Sequence, residues 1–256
     1  FCTGDICGRN NGCYYGSIRK LMYEADILVA NHSLLLSEAK VPGILPEHDS
    51  IIIDEVHNLV RGGYDQFKVE LNHNNVVSLL NSINPNHPRS KRWNNILESI
   101  GDTEPSLKIL KEKLKLELEY IKISFDKFME QLAINNENQF DIGKAYQERP
   151  IIQSLSKEYS SLNKELSSFL DHSQKLLVCF TNLRNFVSKV DAKKTKYLYL
   201  HSVLDKGLEN INALNDSINL LTTAQDNEWV YWKEGYYNSR KDIDNKLQIS
   251  LHSSKI

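Results

Sequence analysis

The middle of the chain carries three long apolar stripes. Between residues 105 and 133 the apolar positions are Leu107, Leu110, Leu114, Leu118, Ile121, Phe125, Phe128 and Leu132. Steps of three and four draw a single stripe along one long helix. A second stripe follows at Leu155, Tyr159, Leu162, Leu166, Phe169, Ser173, Leu176, Phe180, Leu183 and Phe186. The third runs through Leu200, Leu204, Leu208, Ile211, Leu214, Ile218 and Leu221. A continuous helix over residues 151–190 would be roughly 60 Å long at about 1.5 Å per residue. One stripe per helix predicts a long antiparallel bundle or hairpin. The same heptad-like spacing also fits a coiled-coil dimer. Interruptions at 134–150 and 191–196 leave room for the chain to fold back, which favours packing within one chain.

The flanks have a different pattern. Residues 14–24 suit a short helix, and residues 26–30 (Asp-Ile-Leu-Val-Ala) form a short apolar run of the kind buried on both faces of a sheet. Asn31, His32 and Ser33 offer capping groups for a second short helix through Leu34, Leu35 and Leu36. Pro42, Gly43 and Pro46 then mark a loop. A second apolar strand candidate at 50–53 leads directly into Asp54, Glu55, Val56 and His57. Two such runs, separated by helix and loop, suggest part of a parallel sheet. Further on, 67–71 reads as a short strand and 75–83 as a helix, before Pro85 and Pro88 break the pattern. Strand character returns at residues 226–256: Trp229, Val230, Tyr231 and Trp232 are β-prone, and 247–251 alternates with period two. The fold class expected is therefore mostly α. A long helical bundle or hairpin is inserted beside an incomplete α/β segment.

Composition narrows the function classes only slightly. The 256 residues are 41% hydrophobic and 25% charged, as in an ordinary folded domain, and 31 basic against 33 acidic side chains leave a net charge of −2. No global basic field announces nucleic acid, so any such contact must be local. Apolar runs reach only about five residues, far short of the roughly 20 a bilayer helix requires, so no membrane span is expected. The first residue is Phe1 and no charged-then-apolar leader opens the chain, so it reads as an internal fragment of a larger, cytoplasmic protein. Cys2, Cys7 and Cys13 crowd one end, which suits metal ligation better than a disulfide scaffold. Cys179, among Leu176, Leu177, Val178 and Phe180, reads as a small buried hydrophobe.

Asp54 and Glu55 carry the clearest chemistry. A carboxylate pair leaving a buried strand lies where nucleotides bind in open α/β folds. Asp54 there suits Mg²⁺, held through a water, and Glu55 suits polarising the water that attacks a γ-phosphate. His57, two residues on, is placed to relay nucleotide state. The plainer alternative is an acidic first turn of a helix. The whole string at 51–59, Ile-Ile-Ile-Asp-Glu-Val-His-Asn-Leu, resembles the Walker B or DEAH box of superfamily 2 helicases, with Val56 where Ala is usual. Residues 25–35, Ala-Asp-Ile-Leu-Val-Ala-Asn-His-Ser-Leu-Leu, resemble the strand and Asn-His turn before that box in the DinG/XPD branch. Cys2-x4-Cys7-x5-Cys13 is similar to the last three ligands of that branch's iron–sulfur cluster. The strand at 247–254 resembles the start of the second motor lobe, although Lys255 stands where the family often has Pro.

This resemblance implies an iron–sulfur, ATP-dependent DNA helicase acting on single-stranded DNA. Its cofactors would be ATP, Mg²⁺ and a 4Fe-4S cluster, and its partners the rest of the motor lobes and DNA. It divides the chain into the end of a cluster domain (1–24), a partial motor lobe 1 (25–66), an arch-like helical domain (67–225) and return strands toward motor lobe 2 (226–256). The sequence contains no Gly-x4-Gly-Lys-Ser/Thr phosphate loop, so the fragment alone is expected to be inactive and to lack the cluster. Structural zinc on the same thiols is the competing expectation.

Other residues have milder readings. Asn31 and His32 suit capping better than catalysis. Lys108, Lys111, Lys113, Lys115, Lys122 and Lys127, interleaved with Glu112, Glu117 and Glu119, suggest solvated i,i+4 pairs. Lys189, Lys193, Lys194 and Lys196 are a candidate phosphate contact for DNA, with loop solvation as the alternative. Trp229, Tyr231 and Trp232 suit either base stacking or a hydrophobic strand. Two rival classes stand beside the helicase reading: a helical DNA- or protein-interaction module without ATPase activity, and a pseudo-helicase whose motor has decayed.

Overall fold

The computed structural model describes residues 14–140, 149–191, 197–223, 225–237 and 247–255, which fall into two compact units, 1–68 and 69–256. The second unit holds the long helices. Three of them dominate: α6 (Pro105–Asn136), α8 (Asn163–Val190) and α9 (Leu198–Thr222). α4 (His73–Ile83) and α5 (Lys91–Gly101) pack beside them, and a single turn, α7 (Leu155–Glu158), precedes α8. Each apolar stripe becomes a buried seam, with only Leu110, Phe186 and Leu208 of the stripe residues left partly exposed.

Pairs across α6 and α8 run in opposite order, from Glu117–His172 to Phe128–Phe169, so the helices are antiparallel. Between them Phe125, Phe128, Phe169 and Tyr159 form an aromatic cluster with centroids 5.0–6.1 Å apart. α8 and α9 are likewise antiparallel, linked by Ser173–Asn215 and, at 2.8 Å, Arg184–Asp205. They approach closely at Gly207, where a Cβ would lie 2.6 Å from the Phe180 ring.

Two features of this unit depart from the sequence pattern. The helix expected over 151–190 is divided: α7 gives way to a 3₁₀ turn at Ser160–Leu162 before α8 begins. Serines crowd this stretch, and Ser160 donates back to the Lys157 carbonyl at 2.9 Å, which competes with continued helix. The stripe survives because Leu155, Tyr159 and Leu162 stay buried through the break. α5 is the second departure. Trp93, Leu97 and Ile100 repeat at helical spacing and are buried, but the preceding prolines mask the pattern.

The return strands join the helical unit. β2 (Trp229–Tyr237) and β3 (Leu247–Lys255) pair antiparallel, and β3 also pairs with β1 (Val69–Leu71), giving the order β1-β3-β2. The period-two pattern at 247–251 suggests a half-buried strand, yet β3 is central and buried along nearly its whole length. The sheet and bundle are joined by a buried charge. Lys233, 2% exposed, donates from Nζ to Glu158 Oε1 at 2.6 Å and to Asn136 Oδ1 at 2.5 Å. Those contacts tie β2 to the end of α6 and to α7.

The first unit is thinner. It comprises α1 (Tyr14–Glu24), α2 (His32–Lys40) and α3 (Val56–Phe67). α2 lies on α3 where Leu36 meets Gly62; a Cβ there would be 3.2 Å from the Leu36 side chain. Among its described residues only Leu45 is buried. The expectation of parallel strands at 26–30 and 50–53 is corrected here. Neither segment joins a ladder, and Ile27, Val29 and Ile52 are 84%, 94% and 98% exposed. A strand of this type requires neighbours on both edges and cover on both faces, and two short segments cannot supply these for each other. No helix among the described residues is long and apolar enough to cross a membrane.

The Lys233 contact yields a stability prediction. Glu158→Ala strands a buried ammonium and should destabilise the chain by roughly 3–5 kcal/mol in denaturant unfolding, whereas the paired change Glu158→Leu with Lys233→Met should recover most of that loss.

Candidate functional site

The Asp54–Glu55 pair occupies a sharp corner of the first unit. Residues 51–53 arrive without regular structure, and α3 begins at Val56. Glu55 makes the turn in the left-handed region, φ 50° and ψ 47°, the one non-glycine residue with positive φ among those described. That conformation costs a side-chain-bearing residue on the order of 1–3 kcal/mol, so its surroundings must hold it. Three contacts do so. Asp54 Oδ1 accepts the Glu55 amide at 2.9 Å, and the Glu55 carbonyl accepts the Asn58 amide at 2.8 Å. His32 Nε2 meets the Asp54 carbonyl oxygen at 2.9 Å. Both carboxylates face solvent, and Glu55 Oε2 lies 3.2 Å from His57 Nε2. Glu55 therefore points toward His57 and does not cap α3 with its side chain.

The loop that delivers residues 50–53 is anchored by one carboxylate. Glu38, near the end of α2, accepts the amides of Gly43, Ile44 and Leu45 at 2.6–2.9 Å. The Gly43 amide first, then that of Leu45, holds its carboxyl below the ordinary value of 4.5. Arg19 of α1 donates to the Gly43 carbonyl at 2.9 Å and secures the same loop. At the start of α2, Asn31 accepts the Leu34 amide at 2.8 Å, the capping role expected for it.

The remaining candidates are dispersed. Cys2, Cys7 and Cys13, and Lys193, Lys194 and Lys196, lie outside the described residues. Lys189 is exposed on the last turn of α8. Cys179 is partly buried against the bundle core, and burial pushes its thiol up. Trp232 donates to Glu234 at 3.0 Å and stacks on His252, while the Tyr231 hydroxyl accepts the Asp226 amide at 3.0 Å, so both serve the sheet. The α6 lysines reach other elements: Lys111 meets Glu98 of α5 at 2.7 Å and Lys108 meets Asp102 at 3.8 Å. No group of three or more metal-ligating side chains occurs among the described residues. Two adjacent solvent-facing carboxylates nevertheless fit Mg²⁺, which takes one or two protein oxygens and keeps several waters.

Sequence reasoning did not find the Glu38 anchor or the His32 contact. Glu38 followed five to seven residues later by Gly43, Ile44 and Leu45 is a pattern visible only once the loop is closed. His32 has a sequence signal in the Asn-His turn it shares with the DinG/XPD branch, but nothing in the string points to its bond with the Asp54 carbonyl.

Comparison with known proteins bears on this same region. Residues 4–76 match the DEAD_2 family model. The chain is similar to the ATP-dependent DNA helicase YoaA of Haemophilus influenzae, 31% identical over 88 residues that cover 32% of this chain and 14% of that helicase. It is similar to YoaA of Escherichia coli at 30% identity over 87 residues, again 32% and 14%. The chain thus spans about 14% of these relatives' length.

Glu38 gives a pH prediction with a definite sign. A carboxyl whose folded value is depressed stabilises its loop above the unfolded value and loses that effect as pH falls through the folded value. Carboxyl titration followed by NMR should therefore place Glu38 below 4.5. Amide protection at 43–45 should fall below that pH, and Glu38→Gln should remove the dependence.

Proposed function

We propose that this chain is part of an ATP-dependent DNA helicase of the DinG/XPD type, carrying its Walker B-like carboxylates and its arch-like helical domain. One observation carries the reading: Asp54 and Glu55 sit where an apolar segment turns into a helix, inside the residues that match the DEAD_2 family. The exposed apolar residues at 26–30 and 50–53 support it, because such side chains fit a sheet whose other strands lie elsewhere in the parent protein.

Asp54 would hold Mg²⁺ through a water, and the ion would supply charge neutralisation on the phosphates when bound. Glu55 would orient the attacking water and accept its proton. Its 3.2 Å contact with His57 supports a role for His57 in relaying that state toward DNA. Cys2, Cys7 and Cys13 supply three thiolates suited to a 4Fe-4S cluster, whose fourth ligand would come from elsewhere. Lys189, with Lys193, Lys194 and Lys196, is a candidate contact for the single-stranded DNA backbone. The division of the chain follows: 1–24 from a cluster domain, 25–66 from motor lobe 1, 67–225 from the arch, and 226–256 leading toward motor lobe 2. A second reading, a helical interaction module without ATPase activity, draws on the fact that residues 69–256 close a core of their own.

ATPase assays on the full-length gene product separate the two. Glu55→Gln should lower kcat by roughly 10²–10⁴-fold, Asp54→Ala should abolish turnover, and the 256-residue chain alone should show none. Absence of DNA-stimulated turnover in the unaltered full-length product would leave the interaction module as the better account, and turnover unchanged in both variants would remove Asp54 and Glu55 from the reaction.

A further inference from the structure

We infer that His32 is a positioning residue for the Asp54–Glu55 pair, acting through the Asp54 backbone. The proposal rests on the reading of that pair as the metal–nucleotide carboxylates and adds a group to it. The His32 ring reaches 22 positions along the chain to place Nε2 2.9 Å from the Asp54 carbonyl oxygen. A carbonyl has no proton to give, so Nε2 carries the hydrogen and donates.

The contact joins two helix starts. His32 is the first residue of α2, where the Asn31 cap fixes the backbone. Asp54 precedes Glu55 and α3, and the Leu36–Gly62 approach sets α2 against α3. Glu55 occupies the left-handed region there. In that region the Glu55 side chain leaves the backbone in a direction a right-handed residue would not give it. Holding the carbonyl just before it fixes the peptide plane that sets this direction. His32 touches no reacting atom on this account. It holds the geometry from which Glu55 projects.

The alternative role for His32 is a surface ring that merely packs on the turn. Two variants distinguish these roles. His32→Ala removes the donor, whereas His32→Gln keeps a side-chain N–H. In the chain itself, long-range ¹H–¹⁵N spectra should show hydrogen on His32 Nε2. The Glu55 ¹³Cα and ¹³Cβ shifts should leave left-handed values in His32→Ala and return toward them in His32→Gln. In the full-length gene product, His32→Ala should lower kcat by about ten- to a hundredfold, as a misplaced group does, with KM for ATP within about twofold. His32→Gln should recover most of that loss. A His32→Ala protein with native Glu55 shifts and native kcat would overturn the proposal. So would a loss confined to KM, or one that Gln does not rescue. Asp54→Ala is the separate control: if that variant keeps full turnover, the reading of the pair itself fails, while the NMR arm still reports whether His32 holds the turn.

Discussion

A strand with apolar side chains on both faces has two unmet requirements when it stands alone. Its peptide groups need partners along both edges, and its side chains need cover above and below. The segments at 26–30 and 50–53 have the residues for such strands, yet Ile27, Val29 and Ile52 stand almost wholly in solvent. Full burial of one such side chain is worth about 1.5–3 kcal/mol, so several of them form a strong demand for a surrounding sheet. That demand sets the character of the first unit. Its helices are held by local devices: an Asn cap, the Glu38 carboxylate on three amides, the Leu36–Gly62 contact and the His32 bond to Asp54. Each acts within one turn or between two neighbouring elements. None replaces a core.

The second unit meets the same requirements internally. Its three long helices bury one stripe each, and β3 is paired on both edges by β1 and β2. Lys233 shows how completely that interior is closed. An ammonium group at 2% exposure is tolerated because Glu158 and Asn136 both accept from it. The contact also holds Glu158, the last residue of α7, beside the turn where Ser160 donates back to the Lys157 carbonyl.

The long helices were legible because their chemistry is periodic and local. Leu107 through Leu132 repeats in steps that only one face of a helix can satisfy, and that face is buried. The mostly α fold class follows from three such stripes. The break after Glu158 was not legible, since the apolar stripe runs through it: Leu155, Tyr159 and Leu162 all stay buried. α5 was hidden by Pro85 and Pro88, although Trp93, Leu97 and Ile100 carry the period. At the site, Asp54, Glu55 and His57 were singled out from residue type together with the resemblance of residues 51–59 to a DEAH box. The strands expected beside them were read from apolar runs, and such runs state what a segment needs but not whether its neighbours are present. Glu38 and His32 act through backbone amides and carbonyls, which have no signal in a string of side chains.

Amide hydrogen exchange at residues 27–30 and 51–53 tests the central claim most directly. The 256-residue chain and the full-length gene product should be compared under the same conditions. These amides should exchange close to the unprotected rate in the chain and at least about a hundredfold more slowly in the full-length protein, where neighbouring strands would bind them. Equally fast exchange in both would contradict the account, because the apolar segments would then be loops and Asp54 and Glu55 would not stand at the edge of a sheet.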